Sequence, residues 1–279
     1  MDAGELLERY AAGERDFRNV DLQGVSLIGV NLNQAHLRRA NLSHTNLTGA
    51  SLKSVNLREA NLFQANLQGS DLQEANLIVS NLEQANLGGS DLTDANLRAA
   101  NLIGANLTGA NLQEAILSEA ILKQANLSKA KLHEASLSRS NLSQAILIDA
   151  ILESANLTNA ILVEANLKGV NLANALLNGA NLTGANLSQG NLSKIKGNGS
   201  NMASANLTEA KLRGASLGWT TLRGANLTRA NFYRAKLCWS NLTGAILVEA
   251  VLIDANLNQI TLRNTDLRRA IMPDGFQHE

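Results

Sequence analysis

The sequence has very few of the residues that cross-link or interrupt a chain. Among its 279 residues there are one cysteine and one proline, and aromatic residues make up 3%. A single cysteine, Cys238, excludes an internal disulfide and favours a reducing compartment. The one proline, Pro273, follows the regular part of the sequence, where a residue without an N–H ends a hydrogen-bonded ladder.

An excess of charge is also absent, because 24 Lys and Arg residues balance 24 Asp and Glu residues. A formally neutral chain has no global attraction to nucleic acid, acidic lipid or basic partners. There is no apolar run of membrane-spanning length, and the first 15 residues are too acidic for a signal peptide. We therefore expect a cytoplasmic protein with no membrane partner.

What the sequence has instead is a large apolar residue at every fifth position. A typical unit reads Ala-Asn-Leu followed by two variable residues, as at 95–99. A period of five would scatter the leucines around an α-helix and alternate them between the faces of a flat strand. Each pentapeptide is therefore predicted to be one short extended segment and one bend, with every leucine facing a common axis. From 17 to 272 the apolar position is Leu except at Phe17, Gly197, Met202, Phe232 and Met272.

Outward residues recur with a longer period of 20. Trp219 and Trp239 are one such pair, and Gly29, Gly49 and Gly69 begin another series. If successive coils stack, like residues should lie above one another, so 20 residues make one coil of four pentapeptides. The regular region then forms about 13 four-sided coils with neighbouring backbones about 4.8 Å apart.

The asparagine before most leucines is expected to shape the bend. Asn tolerates unusual backbone angles, and its side chain bonds nearby main-chain groups. In stacked coils, asparagines 20 residues apart should also bond one another. One such predicted column consists of Asn41, Asn61, Asn81 and Asn101.

The first residues are predicted to form a helix over residues 2–13. Asp2 is spaced from Glu5 as in a capping box, Leu6 and Tyr10 share an apolar face, and Gly13 suits the stop. We expect this helix to cover the open first coil, since uncovered solenoid ends invite pairing. A helix that binds a partner is the alternative.

With its Ala-(Asp/Asn)-Leu-x-x motif, the chain resembles the pentapeptide-repeat family. The resemblance implies an all-β solenoid, a right-handed quadrilateral β-helix, with a short N-terminal capping α-helix. The expected parts are a cap at 1–15, the β-helix at 16–272 and a tail at 273–279. The helix-first layout and the Met-Pro-Asp-Gly ending are similar to cyanobacterial members, some of which act in regulation.

One side of the predicted coil carries an acidic stripe. Stacked like charges repel, so the stripe is mildly unfavourable for folding. We interpret it as a solvated face that deters aggregation, with a docking site for a basic partner as the alternative. No ligand-loop spacing supports a calcium site. The acidic stripe consists of Asp71, Glu74, Asp91, Asp94, Glu114 and Glu134.

Residues 211–239 form the most distinctive predicted surface, called here the aromatic–basic patch. Both tryptophans lie in it, among several Lys and Arg residues. Trp, Tyr and Arg most often anchor protein interfaces, whereas aromatic and basic groups together also suit a single nucleic-acid strand. A Trp ladder that only shields the coil edge is the third interpretation. The candidate partner-binding residues are Trp219, Tyr233, Arg234, Lys236 and Trp239.

No pattern of catalytic or metal-binding residues emerges. His36, His44, His133 and His278 do not converge with one another or with Cys238 in the predicted coil, so no zinc set forms. A leucine-filled interior also leaves no cavity for a small-molecule substrate. We therefore expect no enzyme, metal or cofactor.

The function predicted from the sequence is non-catalytic binding of a protein partner, in a regulatory role. The resemblance adds two expectations: a homodimer through the C-terminal end, whose tail is too short to cover the last coil, and DNA mimicry directed at DNA gyrase. Balanced charge and the basic patch disfavour DNA mimicry. Binding of single-stranded nucleic acid is the remaining alternative.

Overall fold

A computed structural model of the chain describes all 279 residues, Met1–Glu279. The chain divides into two compact units, unit 1 (Met1–Asn141) and unit 2 (Leu142–Glu279). Its one helix is α1 (Ala3–Ala11), and no helix is long and apolar enough to cross a membrane. The rest is built from isolated β-bridges separated by two-residue turns.

Helix α1 is slightly shorter than the predicted 2–13 and is capped as predicted. The Asp2 carboxylate accepts a hydrogen bond from the Glu5 N–H at 2.8 Å. Leu6 is fully buried, and the Tyr10 hydroxyl donates to the Asn33 carbonyl at 3.0 Å. The guanidinium of Arg15 lies 3.8 Å from the Tyr10 ring centroid. These contacts fix α1 against the first coils of unit 1.

The main-chain hydrogen bonds join segments that are one 20-residue coil apart. The N–H of an inward leucine donates to the following coil, as from Leu72 to the Asp91 carbonyl at 2.7 Å. The N–H that starts the next segment donates to the preceding coil, as from Asn76 to the Val55 carbonyl at 2.9 Å. The predicted 20-residue coil is confirmed by parallel bridges from Asp16–His36 through Ile121–Asn141 in unit 1 and from Ile146–Asn166 through Val251–Ile271 in unit 2.

Asparagine side chains accept a hydrogen bond from the turn N–H two residues later, which has no main-chain acceptor. The Asn76 Oδ1 accepts from the Ile78 N–H at 3.2 Å, and this bond recurs through both units. The predicted Asn columns are confirmed, since Asn61 Nδ2 donates to Asn41 Oδ1 at 3.2 Å and the series continues through residue 101. The prediction that the asparagine itself adopts an unusual backbone angle is wrong. The left-handed residue is the one three positions later, such as Val79 with φ 58°.

The interior of each unit is filled by the inward leucines and the small residues two positions before them. Leu97 and Ala95, for example, are 0% exposed. Burying one leucine contributes about 1.5–3 kcal/mol. At Gly197, where the leucine is missing, Ile195 is buried and a Leu217 methyl carbon lies 3.1 Å from where a Cβ would stand. Neighbouring side chains thus occupy the space, and the coil keeps its register.

Candidate functional site

The two tryptophans of unit 2 form an exposed, parallel stack. The ring centroids of Trp219 and Trp239 lie 5.0 Å apart with an interplanar angle of 3°, and the residues are 65% and 52% exposed. Both occupy the left-handed turn position, which lies three residues after the asparagine position and is called here a corner, with φ of 60° and 63°. Their N–H groups donate to the Cys238 and Asn258 carbonyls at 3.0 Å. The backbone therefore holds both indoles in place while leaving them open to solvent.

Tyr233 is half-buried and lies between two arginines. The guanidinium carbons of Arg213 and Arg234 are 5.0 and 4.8 Å from its ring centroid, within cation–π distance. Arg234 also pairs with Asp254, with Nε 3.2 Å from Oδ2. The predicted neighbours Tyr233 and Arg234 are thus in contact, and Arg234 is partly neutralised.

A ladder of alternating charge borders the patch. Arg229 lies 3.8 Å from a Glu209 carboxylate oxygen and 2.8 Å from one of Glu249, which also lies 3.6 Å from Arg269. The hydrogen bond from Arg229 lowers the pKa of Glu249. Two of the acids that pair with this region, Glu249 and Asp254, lie outside residues 211–239. The 20-residue offset that pairs the tryptophans would also have paired residue 229 with 249 and residue 234 with 254.

The remaining cations of this region keep their charge exposed. Residues 165–248 contain nine Lys and Arg but a single acid, Glu209. Seven of these cations are exposed and make no ion pair, although a cation–π contact joins Arg213 to Tyr233. Lys236 is the only member of the predicted partner-binding set among them. The seven unpaired cations are Lys168, Lys194, Lys196, Lys211, Arg213, Arg223 and Lys236.

The acidic stripe lies on one side of the coils of unit 1, and neutral donors contact several of its carboxylates. Burial raises the pKa of Asp91, but hydrogen bonds from Thr93, Gln73 and Asn111 outweigh this and lower it. The Thr93 hydroxyl is 2.6 Å from Asp91 Oδ1. Glu74 accepts from the Ser54 hydroxyl at 2.9 Å, which lowers its pKa. The stripe is therefore partly satisfied within its own surface.

The histidines and the cysteine lie apart from these two surfaces or at their edges. His44 packs edge-on against Phe63 with ring centroids 5.5 Å apart, and His133 lies 3.4 Å from Glu134. Cys238 is half-buried beside the Trp stack. No three His, Cys, Asp or Glu side chains lie close enough to hold a metal ion.

Comparison with protein families decides the family. Eight copies of the family described as Pentapeptide repeats match residues 16–53, 56–94, 90–128, 125–162, 160–196, 198–229 and 230–269. The chain belongs to the pentapeptide-repeat family. Proteins of this family fold as right-handed quadrilateral β-helices, which confirms the predicted fold class. The number of coils and the boundaries of the cap and tail stay predictions.

Solved structures include several similar pentapeptide-repeat proteins. HetL from the cyanobacterium Nostoc sp. strain PCC 7120, a protein involved in heterocyst differentiation regulation, is 33% identical over 100% of both chains, with a TM-score of 0.35. Rfr23 from the cyanobacterium Cyanothece 51142 is 36% identical over 42% of this chain and 92% of its own, with a TM-score of 0.40.

A more distant similarity is to full-length QnrB1, a plasmid-mediated fluoroquinolone resistance protein. It is 16% identical over 90% of this pentapeptide-repeat protein and 93% of its own chain, with a TM-score of 0.42. No curated protein sequence matches the chain.

Proposed function

We propose that this pentapeptide-repeat protein is a non-catalytic, regulatory interaction protein that binds a protein partner through the aromatic–basic patch. The observation that carries the proposal is the exposed, parallel stack of Trp219 and Trp239 among unpaired cations. A cytoplasmic site of action, favoured by the single Cys238, is part of the proposal.

The physical argument is that the patch is already organised for binding. Exposed apolar rings that lie together mark interaction surfaces, and Trp and Tyr are the usual interface anchors. Binding normally has to overcome the entropy lost when side chains are ordered. Here the stack already orders Trp219 and Trp239, and two guanidinium groups lie against Tyr233. Little of that cost remains for the partner to overcome.

The regulatory part of the proposal is supported by the similarity to HetL, which extends over the whole of both chains. The support is for the class of function only. The repeat dictates three of every five residues, so the shared repeat pattern by itself can account for the 33% identity to HetL. DNA mimicry gains no support, because residues 165–248 carry net positive charge whereas duplex DNA is negative.

The proposal is tested by affinity capture with matched bait variants. The double variant Trp219→Ala, Trp239→Ala should lose a protein partner that the unchanged chain captures. The control Ile28→Ala, Val79→Ala removes two exposed apolar side chains of unit 1, 59% and 53% exposed, and should keep it. Circular dichroism checks that each bait is folded.

Two results would contradict the proposal. Retention of every partner by the Trp double variant would show that the patch is not the binding surface. Loss of capture after nuclease treatment would show that nucleic acid and not protein occupies the patch.

We further propose that two copies pair through the last coil of unit 2. Its inward residues Leu257, Leu262 and Leu267 are only half-buried, and their N–H groups have no hydrogen-bond acceptor. The tail covers a different side, where Gln277 forms an antiparallel bridge with Ile271. Light scattering should give the mass of a dimer, and Leu262→Lys should give a monomer. A monomeric unchanged chain would remove this proposal.

A further inference from the structure

The Trp stack is open on one of its two outer faces. The corner residue one coil before Trp219 is Gly199, and a Cβ placed there would meet no atom within 4 Å. The corner residue one coil after Trp239 is Gln259, which carries a side chain. The indole face of Trp219 directed toward Gly199 is therefore the one available to a further ring.

The corner geometry suits a ring in that position. Gly199 has φ 69°, close to the 60° and 63° of Trp219 and Trp239. Neighbouring coils are spaced by about 4.8 Å, so a ring at the level of Gly199 would continue the stack at an ordinary aromatic distance. The 5.0 Å between the two indoles leaves no room for a ring between them.

The charge around this open face is positive. Lys194 and Lys196 precede Gly199 on the same coil, and both are exposed and unpaired. On the adjoining side runs a shallow groove of about 560 Å³ whose lining includes Asn201, Thr221 and the unpaired Arg223. A group that stacks on Trp219 thus lies among cations, and an acidic neighbourhood complements it.

We infer that the stack is completed by an aromatic side chain from an acidic segment of the partner protein, which lies over Gly199 against Trp219. This inference rests on the proposed function. A protein segment is favoured over a nucleic-acid strand because strand binding relies on aromatic platforms for successive bases, whereas here one open face accepts one ring.

The first experiment uses a fluorescein-labelled heptapeptide with one central phenylalanine and three glutamates on each side. Its fluorescence anisotropy should rise on titration with the protein, and the affinity should fall as salt screens the charges. A peptide with alanine in place of the phenylalanine should bind about tenfold more weakly, because it lacks the stacked ring and its buried area.

The decisive variant is Gly199→Trp, which puts the protein's own indole in the open position. Other corners of this type carry non-glycine residues, including Trp219, so circular dichroism should show an intact fold. Peptide affinity should fall about tenfold, the same loss as is expected for the peptide that lacks the phenylalanine ring. The matched control is Gly109→Trp in unit 1, a corner with φ 65° that is equally open; it should bind the peptide as the unchanged protein does.

Equal peptide affinity for Gly199→Trp and the unchanged protein would overturn the inference, as would equal binding of the alanine peptide or no binding at all. Displacement of the labelled peptide by oligothymidylate at a lower concentration than that needed of unlabelled peptide would overturn it in favour of nucleic acid. In the capture experiment, a partner lost with the Trp double variant but kept with Gly199→Trp would contradict only this inference. A partner kept with both would contradict the proposed function itself.

Discussion

The acidic stripe of unit 1 and the aromatic–basic patch of unit 2 are built on the same pentapeptide but use it differently. In the stripe, neutral neighbours such as Thr93 and Ser54 hydrogen-bond to Asp91 and Glu74. In the patch, the charges of several lysines and one outer face of the Trp stack have no partner. The backbone hydrogen bonds are alike in both, so the difference lies in the outward side chains alone.

This comparison shows where a repeat of this kind can acquire a function. Three of the five residues maintain the coil, and the two turn residues are free to vary. A surface whose polar groups are satisfied by their neighbours gains little from a partner. The patch leaves rings and charges exposed, and a partner that covers them gains both apolar burial and charge complementarity.

The largest expected effect tests whether the interiors beneath the two surfaces are equivalent. Phe232→Ala, beneath Tyr233, should lower the free energy of unfolding by about 3–5 kcal/mol, and Leu92→Ala, beneath Asp91, by about 2–5 kcal/mol. Both side chains are 0% exposed, so each truncation leaves a cavity. Denaturant titration followed by circular dichroism measures both. A loss below about 1 kcal/mol in either would show that its coil is loosely packed.

An intermediate effect is expected from the Trp stack itself. A double-mutant cycle of Trp219→Ala and Trp239→Ala should give a coupling energy of about 0.5–1.5 kcal/mol in unfolding experiments, the usual value of an aromatic pair. The acidic stripe offers the contrast, because Asp94 and Glu114 carry like charges one coil apart and their cycle should show no favourable coupling. Additive losses at the two tryptophans would mean that the rings do not interact.

The smallest effect is a difference in how the carboxylates of the two surfaces respond to acid and salt. The folded pKa values of Asp91 and Glu249 lie below their ordinary values of 3.8 and 4.5. Each therefore contributes stability that is present above its unfolded pKa and is lost as the pH falls through the folded pKa. The melting temperature should fall as the pH drops from about 5 to about 2.

The pKa values of the two carboxylates should respond differently to salt. At about 1 M salt the screening length is about 3 Å, so the pKa of Glu249, which depends on Arg229, should rise toward its ordinary value. The pKa of Asp91 should change less, because neutral donors lower it. Side-chain NMR titrations at low and high salt measure both. An equal response of the two would contradict the assigned causes.

Much of the fold and of the patch could be predicted because the sequence is periodic. The 20-residue offset placed Trp239 above Trp219, and the structure shows the two rings stacked. The same offset also relates Arg234 to Asp254 and Gly199 to Trp219. These relations follow from coil stacking alone, since residues at the same corner of successive coils are neighbours.

Contacts that run diagonally could not be predicted in this way. Arg38 and Arg39 both pair with Glu59, at 3.1 and 2.6 Å, and only the second pair follows the 20-residue offset. Arg98 likewise reaches Glu119. Which pairs form depends on the length and rotamers of side chains at the corners, and a one-dimensional period does not contain that information.

The sequence by itself determined the coil, because a five-residue apolar period has one way to bury every leucine. It also determined which residues stack. Only the tertiary structure decided that the left-handed turn falls three residues after the asparagine and that the indoles lie parallel. It also decided which cations of residues 165–248 are neutralised and that seven remain unpaired. Burial is dictated by composition and spacing, whereas ring orientation and ion pairing depend on distances of a few ångströms between side chains.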